Sequence, residues 1–387
     1  MSSKLIPILF TLAVGLSHAA KEEASLGREG LGRSFQHLKK TGALTVGYFG
    51  GSITAGAGAS KSSETSYRAL TTKWFRDTFP KAKITEVNAA IGGTGSDLGA
   101  FRCRKDLLDQ HPDLVFVEFA VNYGGGNAGR VQASMEGIVR QIWRANPSAD
   151  IVFLYTTTKS LAPAYDRGET PSAIVVDEKV AAAYRIPGVN IGNTLWQKVH
   201  DGQATWETLL PDSTHPGDTG YAIYAKQIRE FLEAHRNDKK GRPHKKLPEP
   251  ISPVPLENAH LIDPTELAAS QSAGWIRDEA TEAKRFPHNI SSNQPGAELK
   301  YRFKGTAIGV YWVIAPDSGD MEWTIDGSAP QRASSWDHYA LRSSRANYRI
   351  LNDALSPGEH ELTLRVLPEK DPQSKGTWIR IGALMVN

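Results

Sequence analysis

The apolar residues in the first part of the chain follow two different patterns. Short apolar runs that end in turn-forming residues predict buried strands at 43–49, 83–89, 113–121, 151–155 and 189–191. Segments with apolar residues on one helical face predict helices at 67–79, 98–110, 131–145, 178–184 and 217–234. Strands that alternate with helices in this way predict a parallel sheet with helices on both faces.

The hydrophobic period changes to two in the last part of the chain. Apolar and polar residues alternate at 299–303, 321–325 and 362–366. Asp-Gly at 326–327 and Pro-Gly at 357–358 are turn signals between these runs. The pattern predicts an all-β domain, and we interpret it as a two-sheet, jelly-roll-like sandwich.

A stretch rich in lysine and proline separates the two patterns. This composition, at residues 237–257, predicts an extended linker. The α/β domain is therefore expected at 20–236 and the sandwich at 258–387. Residues 21–42 are polar, and we expect them to form a surface segment.

The first twenty residues have the pattern of an export signal. Lys4 is followed by a short apolar run at 5–16 and then by small residues at the positions that signal peptidase recognises. We expect residues 1–19 to be a signal peptide cleaved after Ala19, so that the protein is secreted or periplasmic. The alternative is a buried N-terminal strand or helix. The run is too short to span a membrane and no cysteine follows it directly, so we expect no membrane anchor.

Composition and charge narrow the possible functions. The formal net charge is only +3, and the first 235 residues contain no strongly basic stretch, so a nucleic-acid partner is not expected. Cys103 is the only cysteine and cannot form an intrachain disulfide. The glycine-rich turns lack the lysine of a P-loop and the third glycine of a dinucleotide-binding loop. We therefore expect no cofactor.

Residues with catalytic potential follow three of the predicted strands. Ser52 lies in the glycine-rich turn after the first strand, Gly93 in the turn after the second, and Asn122 after the third. Ligands of open parallel sheets bind beyond the carboxyl ends of the strands. The three turns are therefore expected to converge on one crevice.

Serine hydrolysis is the chemistry that these residues can support. Neutral His215 can accept the Ser52 proton, and Asp212 can reach the other ring nitrogen and fix the tautomer. The N–H groups of Ser52 and Gly93 and the amide of Asn122 are candidate donors to the oxyanion. Taken alone, Asp212 and His215 could be half of a metal site, but no second ligand motif completes it, so we expect no metal.

These segments resemble the sequence blocks of the SGNH hydrolase superfamily, also called GDSL esterases and lipases. The matching blocks are Gly-Gly-Ser at 50–52, Asn-Ala-Ala-Ile-Gly-Gly-Thr-Gly-Ser at 88–96, Phe-Ala-Val-Asn at 119–122 and Asp-Ser-Thr-His-Pro at 212–216. The resemblance covers residues 43–235. It implies a flavodoxin-like three-layer fold and metal-free ester hydrolysis.

Two positions depart from the family pattern. Gly51 stands where the family usually has aspartate, and Tyr123 stands where an aspartate commonly follows the block-three asparagine. The first position is not part of the triad, so the chemistry is retained, whereas the loop at Tyr123 is expected to have a different shape. Gly95 competes with Gly93 for the oxyanion role, and the offset from Asn88 favours Gly93.

Aromatic residues of the second domain suggest contact with sugar. Exposed aromatic rings stack on sugar rings, although tryptophan in small β-domains is more often a core residue. The stretch at 336–339 is polar and loop-like, so Trp336, His338 and Tyr339 are the candidates for substrate binding.

Together these features predict a secreted serine esterase that removes acetyl groups from carbohydrate. Its expected partner is an acylated small molecule or a polysaccharide. No long apolar lid is evident, and small residues surround Ser52, which favours a small acyl group. One alternative is a lipase or acyl esterase acting on other substrates, and another is a catalytically silent carbohydrate-binding protein. The oligomeric state stays open.

Overall fold

The structure, a computed structural model, divides the chain into two compact units. It describes residues 28–123, 127–239, 241–264, 272–279 and 285–387. The predicted signal peptide and its cleavage site lie outside the described residues. Of the described residues, those within 28–99 and 106–252 form one unit, and those within 100–105 and 253–387 form the other.

Strands and helices alternate in the first part of the chain, as its apolar pattern predicts. The strands are β1 (Ala43–Gly50), β2 (Lys83–Ala90), β3 (Leu114–Glu118), β4 (Asp150–Tyr155) and β5 (Gly188–Asn190). The helices are α1 (Gly32–Thr41), α2 (Ser52–Ala55), α3 (Tyr67–Thr78), α4 (Ser96–Asp106), α5 (Ala128–Ala145), α6 (Ala162–Asp166), α7 (Ser172–Tyr184), α8 (Ile191–His200), α9 (Trp206–Leu209) and α10 (Asp218–His235).

The five strands form one parallel sheet in the order β2-β1-β3-β4-β5. Helices flank this sheet, which gives the flavodoxin-like three-layer αβα domain. Gly50, at the end of β1, pairs with Ala90 on one side and with Glu118 on the other. Because these three strands end level with one another, the turns that follow them lie side by side at one edge of the sheet.

The central strands are buried along their whole length. Every residue of β3 and β4 is buried, because helices cover both faces of the sheet. This explains why both strands are nearly continuous apolar runs rather than alternating ones. Glu118 is the one charged residue type in β3, and it is buried as well.

The prediction that residues 21–42 form a surface segment is wrong for the part that forms α1. Phe35 and Leu38 of this helix are buried in the core of the first unit. Arg33 on the same helix forms an ion pair with the buried Asp150, with Nε and Oδ1 2.9 Å apart. The polar composition concealed the helix because several of its polar residues are themselves paired inside the protein.

Part of the lysine- and proline-rich segment lies against α5 of the first unit. Arg140 Nη1 donates to the Pro248 carbonyl at 2.7 Å. The buried Glu136 carboxylate accepts the N–H groups of Ile251 and Ser252 at 2.7 and 2.8 Å. These contacts fix the backbone near Ser252, where the first unit ends.

The second unit is built from antiparallel strands. They are β6 (His260–Ile262), β7 (Ile276–Glu279), β8 (His288–Ser292), β9 (Glu298–Gly305), β10 (Ile308–Ile314), β11 (Asp320–Ile325), β12 (Gln331–Ser334), β13 (Arg345–Asn352), β14 (Gly358–Val366) and β15 (Ile379–Val386). One sheet has the order β13-β10-β15-β8-β7, with β6 also pairing β15, and the other has the order β12-β11-β14-β9. A single apolar core contains residues of both sheets, as a sandwich requires.

The prediction that Trp336 is an exposed aromatic residue is wrong. Its side chain is 9% exposed and belongs to the second core together with Trp312 and Trp323. A large indole gains more from apolar burial than from contact with water. His338 and Tyr339 follow on a short 3-10 helix and lie at the surface, where Tyr339 is 62% exposed.

No helix in the described part of the chain combines the length and the apolar character that a membrane span requires. Cys103 is buried.

Candidate active site

Ser52 is the first residue of α2, in the turn after β1. The N–H groups of Gly56 and Ala57 both bond to the Ser52 carbonyl, at 3.1 and 3.0 Å, and close a single helical turn. The Tyr221 hydroxyl lies 3.0 Å from the Ile53 carbonyl oxygen and 2.7 Å from that of Ala57. The backbone of the turn is therefore fixed, while the Ser52 side chain stays half-buried.

Asp212 shapes the turn that carries His215. Its Oδ1 accepts the N–H groups of Thr214 and His215, at 3.0 and 2.6 Å. Its Oδ2 lies 2.6 Å from His215 Nδ1. Ser213 has a positive φ of 68°, which reverses the chain tightly enough for one carboxylate to reach both the backbone and the ring.

The other ring nitrogen of His215 faces the serine. Nε2 lies 2.8 Å from Ser52 Oγ, within hydrogen-bond distance for transfer of the hydroxyl proton. The His215 side chain is 26% exposed and that of Asp212 58% exposed. The structure thus brings Ser52, His215 and Asp212 together in the order that the sequence analysis expected.

Asp212 is ionised in this arrangement. Partial burial opposes ionisation, but the hydrogen bonds from the His215 backbone and ring and from the Thr214 backbone lower the pKa of Asp212 to about 2. An ionised carboxylate at Nδ1 keeps the proton on that nitrogen, and Nε2 is then left as the basic atom.

The loop that follows α2 packs against the histidine turn. Gly58 has a φ of 85°, and a Cβ at this position would lie 2.5 Å from the Pro216 carbonyl oxygen and 3.0 Å from His215 Cβ. Glycine is therefore required for this close approach. Asp218, at the start of α10, accepts the N–H and hydroxyl of Ser60 at 2.9 and 2.6 Å and joins the same loop to the helix.

Asn122 lies beside the serine turn because Gly51 has no side chain. A Cβ on Gly51 would be 2.1 Å from Asn122 Oδ1. The third strand ends at Glu118 rather than at Val121, and a 3-10 turn at residues 120–122 follows it. The glycine that departs from the family pattern therefore makes room for the asparagine side chain.

The glycine turn after β2 also approaches the serine. A Cβ on Gly92 would lie 3.6 Å from Ser52 Cβ. The next residue, Gly93, is exposed and has a φ of 72°. Gly95 is buried, and a Cβ there would lie 2.9 Å from Asp97 Oδ1. Of the two glycines considered for the oxyanion role, Gly93 is the more open.

A cavity of about 470 Å³ adjoins the turns that carry Asn122 and His215. It is lined by Ala120 and Val121, which precede Asn122, and by Thr214, which precedes His215. The remaining lining among the described residues is apolar or hydroxyl-bearing, and none of it is charged at neutral pH. The volume lies in the range of small-molecule sites.

Tyr123 lines this cavity as well. Its hydroxyl donates to Asp177 Oδ1 at 2.9 Å, which ties the loop after β3 to α7. Asp177 is buried, and this burial raises its pKa well above the ordinary range. Residues 124–126, the rest of the glycine-rich turn, lie outside the described residues.

The other predicted site residues are not part of the first unit. Trp336, His338 and Tyr339 belong to the second unit. Among the side chains that the structure describes, no group of three His, Cys, Asp or Glu residues is arranged to hold a metal ion.

Glu118 is a residue beside the site that the sequence pattern did not reveal. Its carboxylate accepts hydrogen bonds from the hydroxyls of Thr54 and Thr156, at 2.8 and 2.7 Å, next to the serine turn. The available signal was an acidic residue at the end of an otherwise apolar central strand.

Residues 48–223 match the GDSL-like lipase/acylhydrolase family. They form a GDSL-like acylhydrolase domain. The matched range contains the turns of Ser52, Gly93, Asn122 and His215. The chain therefore carries a carboxylic ester hydrolase domain, and the family resemblance seen in the sequence blocks is confirmed.

Two solved structures resemble the chain over most of its length. Both are of a two-domain esterase, CEX, described as active on acetylated mannans. The structure with mannopentaose has a TM-score of 0.79 and 22% identity, and covers 93% of this chain and 96% of its own. The structure without it has a TM-score of 0.76 and 23% identity, with the same coverage. At this identity the likeness establishes the fold. No curated protein matches the chain.

The lowered pKa of Asp212 gives a pH prediction. Because the folded pKa lies below the ordinary 3.8, the Asp212–His215 interaction should be fully present above about pH 4 and be lost as the pH falls through about 2. We expect ¹³C NMR of labelled carboxyl groups to show Asp212 still ionised at about pH 3. The Asp212→Asn variant assigns the signal by its absence. A titration midpoint at 3.8 or higher would contradict this expectation.

Proposed function

We propose that the protein is a secreted or periplasmic serine esterase that removes acetyl groups from carbohydrate. The observation that carries the proposal is the hydrogen-bonded chain from Ser52 through His215 to Asp212, with links of 2.8 and 2.6 Å, inside an acylhydrolase domain. The predicted signal peptide supports export.

In the first half of the reaction, Ser52 Oγ attacks the ester carbonyl carbon while His215 Nε2 takes the hydroxyl proton. The Ser52 and Gly93 N–H groups and the Asn122 amide donate to the oxyanion that forms. Collapse of this intermediate breaks the bond to the sugar oxygen, which receives the proton from His215. The acetyl group is then bound to Ser52.

In the second half, His215 takes a proton from water, and the resulting hydroxide attacks the acetyl carbonyl carbon. The second oxyanion uses the same donors. The bond to Ser52 Oγ breaks, the proton on His215 returns to the serine, and acetate leaves. Throughout, ionised Asp212 accepts the hydrogen bond from His215 Nδ1–H and stabilises the imidazolium.

The choice of substrate rests on two features. The cavity beside Asn122 and His215 is uncharged and lined by small and hydroxyl side chains, which suits a neutral sugar better than an ionic ligand. The two-domain esterase that shares the fold is described as active on acetylated mannans, and this supports a carbohydrate substrate here.

The first test is the nucleophile. Ser52→Ala should lower kcat on p-nitrophenyl acetate by roughly 10⁴-fold or more without loss of the fold, because the triad residues act as one unit. Ser63→Ala, at an exposed serine in the following loop, is the matched control and should behave like the wild type. Near-normal turnover by Ser52→Ala would remove the proposed mechanism.

The second test is acyl specificity. Across p-nitrophenyl acetate, butyrate and octanoate, kcat/KM should fall as the chain lengthens, because the proposed site accepts a small acyl group. Acetate should also be released from acetylated mannan or xylan, measured by mass spectrometry with the chemically deacetylated polymer as the blank. A preference for octanoate would favour the lipase alternative.

The third test concerns the second unit, where we propose that Tyr339 contacts sugar, beside His338. Arg345 lies over the Tyr339 ring at 5.6 Å, and the ring is still 62% exposed. In affinity electrophoresis, Tyr339→Ala should weaken polysaccharide binding about 2- to 10-fold through loss of stacking. Tyr339→Phe keeps the ring and should retain binding, as should Leu341→Ala at a neighbouring exposed residue. If Tyr339→Ala and the wild type bind the polysaccharide equally well, this contact is excluded.

A further inference from the structure

Glu118 has a fully buried carboxylate whose two oxygens make different contacts. Oε2 accepts the Thr54 hydroxyl at 2.8 Å, and Oε1 accepts the Thr156 hydroxyl at 2.7 Å. The Tyr67 hydroxyl lies 2.8 Å from Thr54 Oγ1 and extends the network by one step. The carboxylate therefore joins the turn after β1 to the residue that follows β4.

A buried carboxylate is costly in this position. Burial raises the pKa of Glu118, and the hydroxyls of Thr156 and Thr54 and the N–H groups of Thr54 and Gly51 act against that rise. An apolar side chain would complete β3 without this desolvation cost. The structural role of the carboxylate therefore lies in the segments that its hydrogen bonds hold in place.

The hydrogen bonds of Glu118 reach both sides of the serine. Gly51 precedes Ser52, and Thr54 follows it by two residues. The Gly51 N–H also lies 3.3 Å from the Glu118 carbonyl oxygen, which keeps β1 and β3 in register at this point. Asn122 lies four residues beyond Glu118 on the same connection.

We propose that Glu118 is a positioning residue that holds the Ser52 turn in register with His215 and Asn122. This inference rests on the proposed function, because it takes Ser52 as the nucleophile. It adds that the distance between Ser52 Oγ and His215 Nε2 is set by a side chain that contacts neither atom. Loss of this support should lower kcat rather than raise KM, since the binding cavity is left intact.

The direct test is Glu118→Gln, which keeps the shape of the side chain. An amide places an N–H donor where the carboxylate accepts a hydroxyl proton, so one of the two threonine contacts must rearrange. On p-nitrophenyl acetate we expect kcat to fall about 10- to 100-fold, since small misplacements of catalytic groups have effects of this size. KM should stay within about twofold of the wild-type value.

Glu136→Gln is the matched control. Glu136 is also a fully buried carboxylate of the first unit, but it accepts the Tyr184 hydroxyl and the N–H groups of Ile251 and Ser252. This variant should lose thermal stability but keep the wild-type kcat. Comparable falls in kcat for both variants would make Glu118 a general stability residue and overturn the inference, as would a wild-type kcat in Glu118→Gln.

A second pair of variants covers the case in which Glu118→Gln does not fold. Thr54 is fully buried, and Thr54→Val keeps its shape but removes the hydroxyl donor. We expect Thr54→Val to lower kcat about 10-fold or more and Thr54→Ser, which restores the hydroxyl, to recover most of that loss. A wild-type kcat in Thr54→Val would overturn the inference.

The outcomes for the two proposals are separable. Activity that survives Ser52→Ala removes the proposed function, and with it this inference. An inactive Ser52→Ala beside a fully active Glu118→Gln removes only the role of Glu118.

Discussion

Parallel pairing of β1 with β2 and β3 is the constraint on which the active site depends. Gly50 pairs with Ala90 and Glu118, so these strands end level and the turns that follow share one edge of the sheet. Since side chains alternate along a strand, a slip of one residue would turn each of them to the opposite face. It would also move a turn by about 3.3 Å, more than a hydrogen bond tolerates. The helical layers on both faces protect this register by burying it.

The strands and the site motifs were predictable because each leaves a local signal. Central parallel strands form unbroken apolar runs, and Ser52, Asn122 and His215 lie in short motifs next to strand or helix ends. Glu118 left only an ambiguous signal, because a carboxylate in an apolar run is interpretable only once its partners are known. Those partners, Thr54 and Thr156, are 64 and 38 residues away in sequence.

Burial was the property that the sequence predicted least well. The segment that forms α1 is polar, yet Phe35 and Leu38 anchor it in the core and Arg33 finds a buried partner. Trp336 lies in a polar, loop-like stretch, yet its indole is part of the second core. In both cases the neighbours that bury the side chain are distant in sequence, so local composition and periodicity do not indicate them.

Tyr221 and Asp218 have a consequence for the dynamics of the site. Both lie on the helix that begins just after His215. Tyr221 holds the chain around Ser52 through the carbonyls of Ile53 and Ala57, and Asp218 does so through Ser60. Ser52 and His215 are thus attached to one cooperative unit of local unfolding. Amide hydrogens in the serine turn and at the start of α10 should exchange with solvent together, and an opening that releases one of these two side chains releases the other as well.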